Sequence, residues 1–223
     1  MAKTTRETLS WGTLSREAIV DTALVLARER GIGAVTIRAV AEAVGCSRMA
    51  LYRHVRDKTD LLDLLADEVS WAAAARAPDP GAPWESQLAS IAASLREEFT
   101  ANQALIEILI GNAVEGRGGV RVSEQITRAI ASTGLPPERV AHYCLVFTDV
   151  VLGRIQREAR GDPTTPARNK RLIDAAVASD EAPTVRRYAS YLRAVDPGEV
   201  FEAEVNMVCA AIHEEIRSSP VQG

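Results

Sequence analysis

The stretch from Thr36 to Lys58, TIRAVAEAVGCSRMALYRHVRDK, leaves this chain little conformational freedom. Thr36 can cap a helix, because its hydroxyl can accept from backbone N–H groups left free in a first turn. Ile37, Val40, Ala41 and Val44 then fall on one face at helical spacing. Gly45 follows the last apolar residue, where helices commonly stop in the left-handed conformation. Ser47 caps a further helix two residues later. So short a connection cannot wander, and the two helices must cross sharply, as in a helix-turn-helix.

The second of these helices, Arg48 to Val55, has a divided surface. Leu51 and Val55 lie four apart and are expected to pack inward, which leaves Arg48, Met49, Tyr52 and Arg53 facing outward. Arginine can make paired hydrogen bonds to guanine in a major groove, and tyrosine and histidine can donate to phosphate oxygens. The surface suits double-stranded DNA; an ordinary solvated three-helix core is the alternative that this chemistry alone leaves open. Asp57 starts another helix, with Asp60 three residues on as a short form of the capping box. Lys58, in that first turn, sets an ammonium beside free N–H groups, an arrangement that fits a backbone phosphate.

The order Thr36-Ile37-Arg38-x-Val40-Ala41, Gly45-Cys46-Ser47, Ala50-Leu51-Tyr52-x-His54-Val55 and Lys58-x-x-Leu61-Leu62 resembles the tetracycline-repressor family. Outside this region the chain fits the family only in length and helical character. The resemblance implies a homodimeric, one-component transcriptional regulator. It implies an all-α fold, with an N-terminal three-helix DNA-binding domain carrying the helix-turn-helix and a C-terminal helical bundle for dimerisation and ligand binding. Position by position, Ser47 to His54 resembles the recognition helix. Thr36, Tyr52, His54 and Lys58 match positions that hold phosphates, and Arg48, Met49, Ala50 and Arg53 match base readers. Val55 stands where the family commonly has phenylalanine, a smaller core residue with no bearing on function.

Bulk charge argues against DNA unless it is localised. The net charge is −4; residues 1–76 hold 11 basic and 10 acidic groups, and residues 77–223 hold 15 and 20. Binding must therefore rest on a local patch, which Arg48, Arg53, Arg56 and Lys58 supply. Cys46, Cys144 and Cys209 lie far apart in sequence, without disulfide or zinc spacing, and are expected as small packing residues in a reducing compartment. No apolar run approaches ~18 residues and the N-terminus is polar, so no membrane span or secretory signal is expected and the cytoplasm follows.

Residues 1–14 read as a flexible arm from which Lys3 and Arg6 could reach DNA. Residues 15–76 read as the DNA-binding unit. Ser15 caps a first helix to Arg30 with Ile19, Ala23, Leu26 and Ala27 inward, and a long helix from Asp57 to about Arg76 is either a lever or a passive connector. The breaker APDPGAP, 77–83, marks a boundary before a unit spanning 84–223. There the pattern predicts helices over Trp84–Thr100, Leu105–Ile110, Arg121–Thr133, Pro137 to about Arg160, Asn169–Ser179, Pro183–Ala194 and from Pro197 onward. Gly111–Gly119 and Gly161–Arg168 read as loops; the first lacks the spacing and preceding strand of a phosphate-binding loop. From Val140 to Leu152 the chain is apolar nearly all round, so it must be covered on every side. One flank is expected against its own core and the other against a second subunit. The resemblance implies a four-helix dimer interface built from 137–160 and 198–218 of each subunit.

His54, His142 and His213 stand apart, and no nucleophile elbow or metal-ligand pattern occurs. A helical enzyme is thus a distant alternative, and neither a cofactor nor a metal is expected. The resemblance implies a small-molecule effector pocket in the C-terminal bundle, with Phe99, Tyr143, Phe147, Asp149 and Tyr188 as candidate lining; Asp149 is a charge inside an apolar run. Such a ligand would be largely apolar with a few polar groups. The expected mechanism is a repressor dimer that sets its recognition helices in successive major grooves of a palindromic operator, roughly 34–36 Å apart. Ligand binding then favours a different separation of the heads, carried by the fourth helix. A DNA-binding dimer without an inducer is the closer alternative.

Overall fold

A computed structural model of the chain describes residues 14–76, 78–111, 116–159 and 166–218. The expected arm lies outside the described residues apart from Leu14. Among the described residues the fold is all-α, with no strand.

The first helix, Arg16–Arg30 (α1), starts where the Ser15 hydroxyl accepts from the Ala18 N–H at 3.1 Å and ends at Gly31. A 3₁₀ turn, Ile32–Ala34, leads into Ile37–Val44 (α2), capped by Thr36 through the Ala39 N–H at 3.1 Å. Gly45 ends α2 with φ 81° and ψ 30°, the left-handed stop expected of it. Ser47 caps the next helix through the Ala50 N–H, again at 3.1 Å. That helix is shorter than expected: only Arg48–Leu51 (α3) is α-helical. The chain then tightens, with the N–H of Arg53 on the carbonyl of Ala50 and that of His54 on Leu51. The reason lies just ahead. Asp57 is extended (φ −157°, ψ −171°) so that its carboxylate can cap the following helix, and helical geometry has to stop before it.

Lys58–Ala75 (α4) follows, with Asp57 accepting from the Asp60 N–H at 2.9 Å. Asp60 does not return the bond to Asp57 as a capping box would; it accepts from the N–H of Arg56, one residue earlier, at 2.8 Å. The helix packs against α1 and against three later helices, Trp84–Ala101 (α5), Ile106–Gly111 (α6) and Arg117–Ala131 (α7). One apolar core results, running from Ile19, Val40, Leu51 and Val55 through Leu61 and Leu65 to Leu88, Phe99, Ile130 and Phe147.

The expected glycine loop 111–119 is helical at both of its ends. Gly111 closes α6, Gly116 is the N-cap of α7, and Gly118 lies buried in its first turn; residues 112–115 are outside the described residues. Glycine is required at 118 because a Cβ there would meet the Asp67 carbonyl oxygen at 2.2 Å and the Trp71 nitrogen at 2.5 Å.

Pro137–Ala159 (α8) buries Val140, Tyr143, Phe147, Val151 and Ile155. Arg154 continues that inward stripe, 2% exposed, with its Nε donating to Glu204 at 2.8 Å. Pro166–Ala178 (α9) starts three residues before the expected Asn169, a proline serving well in a first helical turn. It pairs with Pro183–Ala194 (α10), and these two pack principally on each other. Pro197–Ser218 (α11) returns against α8 and α5 with Phe201, Val205, Val208 and Ile212 buried. The outer flank of α8 and α11 stays open: Leu145 is 69% and Met207 70% exposed.

Candidate nucleic-acid interface

The helix-turn-helix presents its polar groups from a rigid base. Leu51 is fully buried and Val55 nearly so, which fixes the rotation of α3. Arg48, Met49, Tyr52 and Arg53 are thereby exposed together on the opposite side, Met49 at 75%. Ala50 and His54 are half-buried at the margins of that face. The hydroxyl oxygens of Thr36 and Ser47 are engaged by the N–H groups they cap, which leaves each O–H hydrogen to donate outward. Lys58, exposed, is the first residue of α4.

The basic patch is smaller than its sequence. Among the described residues, Arg56 alone of the four cations is ion-paired, to Asp60 at 2.9 Å. That guanidinium holds the Asp60 carboxyl below the usual carboxylate range, so the two cancel. Arg48, Arg53 and Lys58 remain to meet an anion. The arrangement offers two flexible guanidinium forks and a tyrosine for groove edges and phosphates, and an ammonium at a helix start for a phosphate.

Of the five candidates for a ligand pocket, Phe99, Tyr143 and Phe147 fall in one core, while Asp149 and Tyr188 lie outside it. Phe99 and Phe147 are fully buried in the continuous core. Tyr143 is buried with its hydroxyl donating to Glu215 at 2.7 Å. Asp149 is exposed beside Val146, Val150 and Met207, in an open groove of ≈ 550 Å³ between α8 and α11. Tyr188 is exposed on α10. A polar junction that the sequence analysis did not single out lies elsewhere: Asp67, 8% exposed on α4, accepts from the backbone of α7. Its only sequence signal is the crowding of glycines at 116, 118 and 119 before a helix.

Comparison with known proteins agrees with this geometry. Residues 19–65 match the family model of bacterial regulatory proteins, tetR family, and residues 77–215 match that of the tetracyclin repressor-like C-terminal domain. The class D tetracycline repressor of Escherichia coli is 40% identical over 88 residues; the match spans 37% of this chain and 38% of that repressor. A transcriptional repressor of Streptomyces coeruleorubidus, DrrR1, is 24% identical over 141 residues, 63% of this chain and 52% of its own. Among solved structures, apo ActR from Streptomyces coelicolor superposes with a TM-score of 0.82 at 23% identity, over 95% of this chain and all of that one. ActR in complex with actinorhodin superposes with a TM-score of 0.79 at 24% identity, over 92% and 99%. At these identities the superpositions speak for the fold.

Proposed function

The chain belongs to the tetR family of bacterial regulatory proteins, and on that footing we propose that it acts as a homodimeric repressor of a palindromic operator, released when a small, largely apolar ligand binds its C-terminal bundle. As a member of this family it is a DNA-binding regulator of transcription and not an enzyme. Residues 15–76 form the reading domain and 84–223 the dimerisation and effector domain. It works in the cytoplasm, where its operator is; no described helix is long and apolar enough to cross a membrane.

The observation that carries the reading is the exposed face of Arg48, Met49, Tyr52 and Arg53, held out by the burial of Leu51 and Val55. Arg48, Met49, Ala50 and Arg53 read bases, while Thr36, Tyr52, His54 and Lys58 hold the backbone and Ser47 meets the DNA at the start of the recognition helix. Dimerisation draws support from the open apolar flank of α8 and α11, where Leu145 and Met207 would otherwise face water. Ligand response draws support from ActR, whose fold this chain shares and which has been solved with (S)-DNPA and with actinorhodin.

Selection of bound duplexes from a random pool at near-physiological salt tests the proposal. The expected result is a palindromic consensus with half-sites about one helical turn apart. No enrichment by folded, dimeric protein would overturn it. A second reading, a DNA-binding dimer without an inducer, is favoured by the separation of Asp149 and Tyr188 from Phe99, Tyr143 and Phe147. Screening small molecules for release of the selected operator separates the two.

A further inference from the structure

The first turn of α7 is capped from another helix. Asp67, in the body of α4, accepts from the backbone N–H of Gly118 at 2.8 Å and of Gly119 at 3.1 Å. These are among the N–H groups that a helix start leaves without partners. Gly116, at the N-cap position, supplies no side chain to them. While Asp67 holds this position there is no room for a local cap: a Cβ at residue 116 would lie 2.0 Å from the Asp67 Cγ. At Gly118 the α4 backbone lies so near that no side-chain carbon fits between the two helices.

The contact continues along both helices. Arg117 pairs with Glu68 at 2.9 Å and lies 4.5 Å over the Trp71 ring, with Arg121 at 4.8 Å from the same ring. Further along, Gln125 donates to the Ala74 carbonyl at 2.9 Å. Successive turns of α4 are thus pinned to successive turns of α7. By contrast, α4 meets the reading head through apolar packing on α1 and through the short link from Val55 to Lys58. α7 in turn packs on α8, whose outer flank is the proposed dimer face.

We propose that Asp67 is a positioning residue for operator recognition: by capping α7 it makes α4 and α7 one rigid body, so that the dimer face, acting through α7, sets the tilt of α4 and the separation of the two reading heads. The inference rests on the dimer reading above. A carboxylate suits the task because it gives charge-assisted bonds to a helix start, where the partial charge is positive.

The test compares affinity for the selected palindrome with affinity for a single half-site, using full-length protein at fixed salt. Asp67→Ala is expected to lower palindrome affinity at least about fivefold, the lower end of ordinary coupling between sites, while half-site affinity holds. Asp67→Asn, which keeps an acceptor oxygen, is expected to restore most of the loss. Should Asp67→Ala not fold, the double variant Arg117→Gln/Gln125→Ala loosens the same helices from their surface side and is expected to move the ratio in the same direction. An unchanged ratio, or equal losses on both duplexes, would overturn the proposal and leave Asp67 a purely structural cap. Wild-type protein that binds a half-site as tightly as the palindrome would overturn the dimer reading and this inference with it.

Discussion

Glu215 on α11 grips Arg139 on α8 with both carboxylate oxygens, Oε2 accepting from Nη2 at 2.6 Å. The same oxygen accepts from the Tyr143 hydroxyl, so three side chains join the start of α8 to the end of α11. Arg139 and then Tyr143 pull the Glu215 pKa down from 4.5 to about 2. A carboxylate with a depressed pKa stabilises the fold above its ordinary pKa, and that contribution is lost as pH falls through the folded value. Glu215→Gln is therefore expected to be less stable than wild type at neutral pH, with the gap closing between about pH 4.5 and 2. Thermal melts at a series of pH values check this; a gap that stays constant would mean that the carboxylate charge is idle.

Lys58 and Arg48 are expected to fail in different ways. Lys58→Ala removes a proposed phosphate contact, so binding to all sequences is expected to weaken and the slope of log K against log salt to fall by about one. Arg48→Ala removes a proposed base reader, so preference at one operator position is expected to relax by about 1–3 kcal/mol while the salt slope changes less. Titrations over a salt series and repeated duplex selection distinguish them. Tyr52→Ala combined with Lys58→Ala, if it left affinity unchanged, would remove the whole assignment.

The reading head was legible because its signals are local. Ser15, Thr36, Ser47 and Asp57 each cap the helix predicted from them, and Gly45 takes the predicted left-handed stop. What escaped depends on partners distant in sequence. Asp67 and Arg154 look like surface charges until the helices opposite them are in place, although Arg154 continues the helical spacing of Phe147 and Val151. The glycines at 116–119 read as a loop because closeness to α4, rather than flexibility, is their role. Arg56 reads as a free cation because its tie to Asp60 depends on how the extended Asp57 sets the start of α4. The pocket candidates, four aromatic residues and Asp149, are spread over α5, α8 and α10, and residue type does not determine whether side chains meet.

The open flank of α8 and α11 makes the proposed dimerisation sensitive to charge. Met207 lines the groove with Val146 and Val150 and would be desolvated beneath a second subunit. Met207→Glu or Leu145→Glu would bury an unpaired carboxylate in the dimer, so association is expected to weaken sharply. Because both positions are exposed in the single chain, the monomer should fold as before. Light scattering across a concentration series and circular dichroism check the two halves of this expectation. A variant that remains fully dimeric would place the interface elsewhere.

Gly45 separates backbone strain from packing at the turn that aims α3. Its φ of 81° lies in the left-handed region, and no atom beyond its immediate chain neighbours stands within 4 Å of where a Cβ would be. Alanine at this position therefore meets no steric obstacle, and its penalty is the left-handed conformation alone, about 1–2 kcal/mol. Gly45→Asn is expected to cost less, because its short polar side chain can hydrogen-bond locally in that conformation. Denaturant unfolding measures both. If the backbone retains its shape, operator affinity at a temperature where each variant is folded stays close to wild type. Affinity loss that exceeds the stability loss would mean that alanine pulls φ negative, re-aims α3 and turns Arg48 and Arg53 away from the groove.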